Sequence, residues 1–125
     1  MGKSMPSTGK TILIVEDEAL IRFDLIDFFE HAGFSVVEAE SADEAITILD
    51  REISIQVVLT DVQMPGSMDG LKLAHHIRNC FPPTLLVVTS GVLNPSMSEM
   101  PTNSFFAAKP INRKHVLNRI EQMIA

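Results

Sequence analysis

The sequence contains no tryptophan or tyrosine and has a single cysteine, Cys80. One cysteine excludes an internal disulfide and a multi-cysteine metal site, and it fits a reducing compartment. No apolar run approaches the roughly 20 residues that a membrane-spanning helix needs. The first ten residues also lack the hydrophobic stretch of a secretion signal. We therefore expect a soluble protein that stays in the cytoplasm and does not enter a membrane.

Basic residues are also scarce, because 10 Lys and Arg stand against 16 Asp and Glu, giving a formal net charge of −6. A surface of that sign repels phosphate backbones and anionic lipid, so direct nucleic-acid binding is not expected. A chain of 125 residues, 46% apolar and 21% charged, has the composition of one globular domain. Residues 1–10 are predicted to be a disordered leader or a cloning remnant, and residues 11–125 to be the folded domain.

Several short apolar runs are continuous rather than alternating, which is typical of strands covered on both faces in a parallel sheet. These runs are residues 11–15, 56–60, 84–89 and 105–108. Residues 34–37 are more polar and predict a fifth strand at an edge of the sheet.

Between the strands the apolar period changes to that of a helix. Ser41 and Glu44 form a capping box that begins the second helix, Gly33 is placed to end the first, and Asn112 can cap the last. The predicted inward-facing residues of the four helices are Ile21, Leu25, Phe28, Phe29 and Ala32; Ala45, Ile46 and Leu49; Leu71, Ala74 and Ile77; and Val116, Leu117, Ile120, Met123 and Ile124.

Pro95 and Pro101 fall where a helix between the fourth and fifth strands is expected, so that helix is predicted to be short or irregular. The β-α alternation with right-handed crossovers predicts an α/β fold, a doubly wound three-layer (βα)5 sandwich of the flavodoxin-like kind. Its parallel five-stranded sheet is predicted to have the order 2-1-3-4-5.

Charged and polar side chains stand at the ends of the predicted strands. Glu16 and Asp17 follow the first strand, and Asp61 follows the third. Thr89 ends the fourth strand, and Lys109 comes just beyond the fifth. Because parallel strands end at the same edge of a sheet, we expect these side chains to converge.

Carboxylates gathered in one pocket repel one another unless a hard cation offsets the repulsion. Mg²⁺ suits an all-oxygen shell from Asp17, Asp61, a backbone carbonyl and water, with Glu16 acting through water. A carboxylate can then attack a phosphoryl group, because the metal and Lys109 neutralise the developing charge. Thr89 can add a hydroxyl donor. Asp61 is accordingly the candidate phosphoacceptor.

Four groups of residues occur in a fixed order along the chain. They are Ile-Leu-Ile-Val-Glu-Asp-Glu at 12–18, Leu-Thr-Asp-Val-Gln-Met-Pro-Gly at 59–66 followed by Met-Asp-Gly-Leu at 68–71, Val-Val-Thr-Ser-Gly at 87–91, and Ala-Ala-Lys-Pro at 107–110. This ordered set resembles the receiver domains of bacterial two-component response regulators. The resemblance covers roughly residues 11–124.

The resemblance implies that a histidine kinase or a phosphotransfer protein phosphorylates Asp61. It implies that Glu16 and Asp17 form the acidic Mg²⁺ pocket and that the backbone carbonyl of Gln63 completes the protein ligands. It also implies a cis peptide bond before Pro110, a downstream protein target, and a monomer or a phosphorylation-dependent homodimer.

The resemblance further implies a switch that changes the surface around the fourth helix, the fifth strand and the last helix. Thr89 matches the hydroxyl that moves onto the phosphoryl group, and Phe106 matches the aromatic that turns into the space Thr89 leaves. Core packing alone also accounts for an aromatic residue at this position. Phe106 has no hydroxyl, so it cannot make the polar contacts of a tyrosine.

Other function classes use similar residues. Hydrolases with an aspartate nucleophile and Mg²⁺ typically carry a second acid two residues later, where this sequence has Gln63. We therefore expect no enzyme acting on external substrates, but a domain that catalyses only its own phosphorylation and dephosphorylation. A binding module that works by constitutive contact would not need the five charged and hydroxyl residues at the strand ends. The chain end fits both a stand-alone receiver and one excised from a longer protein.

Overall fold

The structure, a computed structural model, describes residues 9–51, 54–63, 69–81, 83–91 and 100–124. Strands and helices alternate along these segments. The strands are β1 (Thr11–Val15), β2 (Ser35–Ala39), β3 (Val57–Asp61), β4 (Leu85–Ser90) and β5 (Ser104–Ala108). The described helices are α1 (Ala19–His31), α2 (Ala42–Leu49), α3 (Gly70–Cys80) and α4 (Arg113–Ile124).

All neighbouring strands pair in parallel, and their order is β2-β1-β3-β4-β5. This confirms the predicted sheet and places the more polar β2 at an edge. Strand order reverses at β1, which lies between β2 and β3, and ligands bind such sheets outside the carboxyl ends of the strands near that point.

Successive residues of the central strands point alternately into two apolar clusters, one on each face of the sheet. Val58 belongs to the cluster that contains α2 and α3 side chains, whereas Val57 and Leu59 belong to the cluster with α1 and α4 side chains. Because both faces are covered, these strands are apolar at nearly every position. The three layers predicted from the sequence are confirmed.

The predicted caps are confirmed, except that the Glu44 carboxylate of the capping box accepts the N–H of the residue before Ser41, at 2.6 Å, and not that of Ser41 itself. The Ser41 hydroxyl accepts a hydrogen bond from the backbone N–H of Glu44, and Asn112 Oδ1 accepts one from the N–H of His115. Gly33 follows α1 with φ +98°, a left-handed conformation that suits glycine.

Two predictions about helix faces need correction. Met123 was expected to be buried, but it is 40% exposed. The buried line of α4 runs in steps of four residues from Val116 through Ile120 to the half-buried Ile124, and Met123 lies to one side of it. On α3 the predicted inward residue Leu71 is only half-buried and belongs to neither apolar cluster, whereas Leu73 is fully buried.

Some predictions fall outside the described residues. One is the short or irregular helix predicted between β4 and β5, most of whose residues lie outside the described ranges. The other is the predicted leader, most of which also lies outside them. In the described part of the chain, no helix has both the length and the apolar character needed to cross a bilayer.

Candidate functional site

The carboxyl ends of the strands bring the charged side chains to one edge of the sheet, as predicted from the parallel topology. Asp61 is the last residue of β3 and lies in register with Thr89 on β4. Glu16 directly follows β1, and its backbone N–H donates to the carbonyl of Ala39 at 3.0 Å. Lys109 directly follows β5, and its N–H donates to the carbonyl of Ser90 at 2.9 Å. Backbone hydrogen bonds between neighbouring strands therefore fix the backbone position of each of these residues.

Lys109 joins two of the carboxylates. Its Nζ lies 2.8 Å from Glu16 Oε1 and 3.0 Å from Asp61 Oδ2. Burial by itself lowers the pKa of Lys109, but the hydrogen bonds and charges of Glu16 and Asp61 outweigh burial and raise it. The ammonium therefore stays charged at neutral pH.

Glu16 is almost completely buried, with 1% of its surface exposed. Burial raises the pKa of Glu16, and this effect exceeds the opposing hydrogen bonds from Lys109 and from the backbone of Glu18. Its Oε2 accepts the N–H of Glu18 at 3.1 Å, while Oε1 accepts from Lys109. Both oxygens of Glu16 are thus engaged by donors of the chain.

Asp61 is also buried, with 4% of its surface exposed. Its Oδ1 accepts the backbone N–H of Gln63 at 3.2 Å, and its Oδ2 accepts from Lys109. These two donors hold the carboxylate at the rim of the sheet in a fixed orientation. Gln63 is exposed beside it, and a metal-binding role for the Gln63 carbonyl stays a prediction.

Glu16, Asp17 and Asp61 form one acidic cluster, because each offers a carboxylate oxygen within 4.8 Å of the others. Asp17 is exposed, whereas the other two are buried, so the cluster opens to solvent on the Asp17 side. The donors are all carboxylate oxygens, without histidine or thiolate. Such a set fits a hard cation such as Mg²⁺.

Thr89 is fully buried, and its Oγ1 donates to the backbone carbonyl of Thr60 at 3.4 Å. In this structure the hydroxyl is therefore engaged by β3 backbone. Phe106 is half-buried, pairs in register with Val88, and packs against the cluster of α2 and α3. The switch roles of Thr89 and Phe106 stay predictions. The peptide bond before Pro110 is cis, as the resemblance implied.

Gly70 is a site residue to which the sequence analysis gave no role. A Cβ atom at this position would lie 1.9 Å from the backbone oxygen of Asp61, so only glycine allows α3 to begin so close to the end of β3. The Gly70 N–H also donates to the carbonyl of Val62 at 2.9 Å. The sequence feature that could have identified Gly70 is its position as the glycine of the Met-Asp-Gly-Leu motif.

Arg22 is a second residue that was missed. It is buried on α1 and donates to the backbone carbonyl of Glu16 at 2.8 Å. No pattern along the sequence marks it, since its partners lie on other elements of the fold.

Comparison with known proteins gives a consistent picture. Residues 12–121 match the family described as response regulator receiver domain. The response regulator receiver protein CpdR of Brucella abortus (strain 2308) is 31% identical over 119 residues, covering 92% of this chain and 97% of CpdR. The Regulator of RpoS of Escherichia coli (strain K12) is 33% identical over 123 residues, covering 97% of this chain. This chain spans only 35% of that longer protein.

Solved structures agree with these relatives. A response regulator receiver protein from Sinorhizobium medicae WSM419 superposes with a TM-score of 0.84 at 27% identity, covering 94% of this chain and 95% of the other. The receiver domain of the hybrid histidine kinase CckA gives a TM-score of 0.79 at 29% identity, covering 92% of this chain and 99% of the other.

Proposed function

Since this chain belongs to the response regulator receiver domains of two-component signalling, we propose that Asp61 accepts a phosphoryl group in an Mg²⁺-dependent reaction. The donor is the phosphohistidine of a histidine kinase or of a phosphotransfer protein. The modified domain then presents a changed surface to a downstream protein.

One observation carries the proposal: the buried Asp61 carboxylate lies 3.0 Å from the Lys109 ammonium within a cluster of three carboxylates. Three carboxylates and one ammonium, all ionised, leave two negative charges, which one divalent cation balances. Asp17 and Asp61 would hold the ion directly, with Glu16 acting through water and the Gln63 carbonyl as a further ligand. When bound, Mg²⁺ withdraws negative charge from the phosphoryl oxygens.

The side chains of the chain itself have distinct tasks in the transfer. One Asp61 carboxylate oxygen forms a bond to phosphorus, and the bond between phosphorus and the donor histidine nitrogen breaks. The imidazole leaves with the electron pair of that bond and takes up a proton. Lys109 already contacts Asp61 Oδ2 and can follow the charge onto a phosphoryl oxygen. The Gln63 N–H keeps the carboxylate oriented for attack.

The test is phosphorylation by acetyl phosphate with Mg²⁺, read by intact-mass spectrometry. We expect the wild type to gain one phosphoryl group and Asp61→Asn to gain none. Asp24→Asn is a matched control, because Asp24 is an exposed carboxylate on α1 that pairs with Arg113 outside the cluster. It should be modified like the wild type. Modification of Asp61→Asn, or none in the wild type, would contradict the proposal.

Receiver chemistry of this kind is limited to the domain's own acyl phosphate. We propose that the protein hydrolyses this bond slowly and does not turn over external phosphoesters. Incubation with a small phosphoester should release phosphate no faster from the wild type than from Asp61→Asn. A constitutive binding module is the alternative, and it would show equal binding of a downstream partner by these two proteins before and after treatment with acetyl phosphate.

A further inference from the structure

Arg22 is a buried cation whose partners are known. Only 6% of its surface is exposed, and a buried guanidinium is costly unless its N–H groups are matched by acceptors. Its Nη1 donates to the backbone carbonyl of Glu16 at 2.8 Å, and its Nε donates to Glu38 Oε1 at 2.8 Å. Arg22 therefore ties α1 to the residue that follows β1 and to β2.

The carbonyl that Arg22 holds belongs to the peptide between Glu16 and Asp17. The N–H of Glu16 is bound on its other side to the carbonyl of Ala39 at 3.0 Å. The backbone that leads into Asp17 is thus fixed at two successive peptide groups.

Asp17 depends on this backbone more than the other members of the acidic cluster do. Lys109 and backbone N–H groups hold the carboxylates of Glu16 and Asp61. Among the described residues, no hydrogen bond or ion pair holds the exposed Asp17 carboxylate. Its place within 4.8 Å of the other oxygens therefore follows from the position of its own backbone.

We propose that Arg22 is a positioning residue for the divalent cation. By holding the peptide between Glu16 and Asp17, it sets the Asp17 carboxylate at the distance from Asp61 at which both oxygens reach one ion. The inference rests on the proposed function, because it requires the acidic cluster to bind Mg²⁺.

A purely electrostatic effect of Arg22 predicts the opposite change in Mg²⁺ affinity, so the direction of the change distinguishes the two explanations. Arg22 holds a positive charge against the backbone carbonyl of Glu16, a member of the acidic cluster. Its removal should therefore strengthen Mg²⁺ binding if it acted only by electrostatics. A positioning role predicts weaker binding instead. Groups that orient metal ligands typically change metal affinity by about 10-fold to 100-fold when they are removed.

The experiment is calorimetric titration of Mg²⁺ into the full chain, with circular dichroism to establish that each variant is folded. We expect Arg22→Met to bind Mg²⁺ about tenfold more weakly than the wild type. Glu38→Gln should change the affinity by less than about twofold, because the bond from Arg22 to the Glu16 carbonyl remains. Arg113→Met is the matched control. It removes an arginine that pairs with Asp24 at 2.9 Å, outside the acidic cluster, and should leave the affinity unchanged.

If Arg22→Met does not fold, the Mg²⁺ affinity of Arg22→Lys provides the test. A lysine keeps the charge but has a single ammonium in place of the fork that reaches both partners. Weaker Mg²⁺ binding by Arg22→Lys supports a positioning role, and unchanged binding contradicts it.

The same experiment separates the two proposals. Normal Mg²⁺ binding by the wild type with equal or tighter binding by folded Arg22→Met overturns the role of Arg22 alone. A wild type that does not bind Mg²⁺ overturns the proposed function, and with it any cation-positioning role.

The backbone itself gives a readout without metal. In the absence of Mg²⁺, the amide resonances of Asp17 and Glu18 should shift in Arg22→Met and stay in place in Arg113→Met. Unshifted resonances in Arg22→Met would show that Arg22 does not position this peptide.

Discussion

Lys109 is the cation on which the buried carboxylates depend when no metal is bound. Its side chain is only 16% exposed, and it contacts Glu16 and Asp61 at once. Removing one member of a buried ion pair leaves the others without compensation, which is more costly than losing an exposed pair.

We predict that Lys109→Met lowers the free energy of unfolding by about 3 kcal/mol in urea titrations with a chelator present. Added Mg²⁺ should recover part of this loss, because the ion replaces the missing positive charge. Lys114→Met, at an exposed lysine of α4, should change stability by less than about 0.5 kcal/mol. Equal stability of the two variants would show that Glu16 and Asp61 do not need Lys109.

Single residues of the candidate site differ in how far the sequence could predict them. Asp61, Thr89 and Lys109 end or follow apolar runs, so parallel topology alone was enough to bring them together. Arg22 could not be predicted in this way, because a charged residue on an amphipathic helix is ordinarily assigned to the exposed face. Its burial depends on a carbonyl after β1 and a carboxylate on β2, and no local pattern displays either contact.

The contact between α3 and the end of β3 holds the candidate phosphoacceptor, Asp61, in place. α3 begins at Gly70 against the backbone of Asp61, and no side chain can be inserted there without moving one of the two elements. Because Asp61 is at the end of β3, a shift at this contact moves the candidate nucleophile relative to Lys109.

We predict that Gly70→Ala destabilises the domain by about 3 kcal/mol, since added atoms must displace well-packed backbone. Phosphorylation by acetyl phosphate should also slow. Gly91→Ala is the matched control, because a Cβ there would meet Lys109 Cβ at 3.6 Å, an ordinary contact. Urea unfolding and the phosphorylation rate measure both effects. A Gly70→Ala protein that matches Gly91→Ala in both would contradict the close packing of α3 on β3.

Helices and strands with strong local sequence signals were predicted well. Where an element ends on a tertiary contact, its end was predicted less well. Capping residues located the starts of α2 and α4, because caps are local hydrogen bonds between residues three positions apart. The end of β3 was placed one residue short of Asp61. An acidic residue is a poor strand former by itself, and only pairing with Thr89 extends the strand to include it.

Metal binding should act on the stability of the domain as a whole. An ion that binds only the folded chain raises the free energy of unfolding by about 2.7 kcal/mol when its concentration is 100 times the dissociation constant. Convergence of Glu16, Asp17 and Asp61 requires β1 to pair with β3, because Glu16 and Asp17 follow β1 whereas Asp61 ends β3, about 45 residues further along the chain. Unfolding must therefore release the ion.

Asp17 offers the sharpest test of this linkage. Its carboxylate is exposed and, among the described residues, makes no hydrogen bond or ion pair. We predict that Asp17→Asn leaves the free energy of unfolding in chelator equal to or slightly above that of the wild type, since it relieves repulsion among carboxylates.

The same variant should lose most of the increase in stability that saturating Mg²⁺ gives the wild type. Asp43→Asn, at an exposed acidic residue of α2, should keep that increase. Thermal unfolding with and without Mg²⁺ measures all three proteins. An equal Mg²⁺ increment in Asp17→Asn and Asp43→Asn would place the ion away from this edge of the sheet, because the direct carboxylate ligand would then be dispensable.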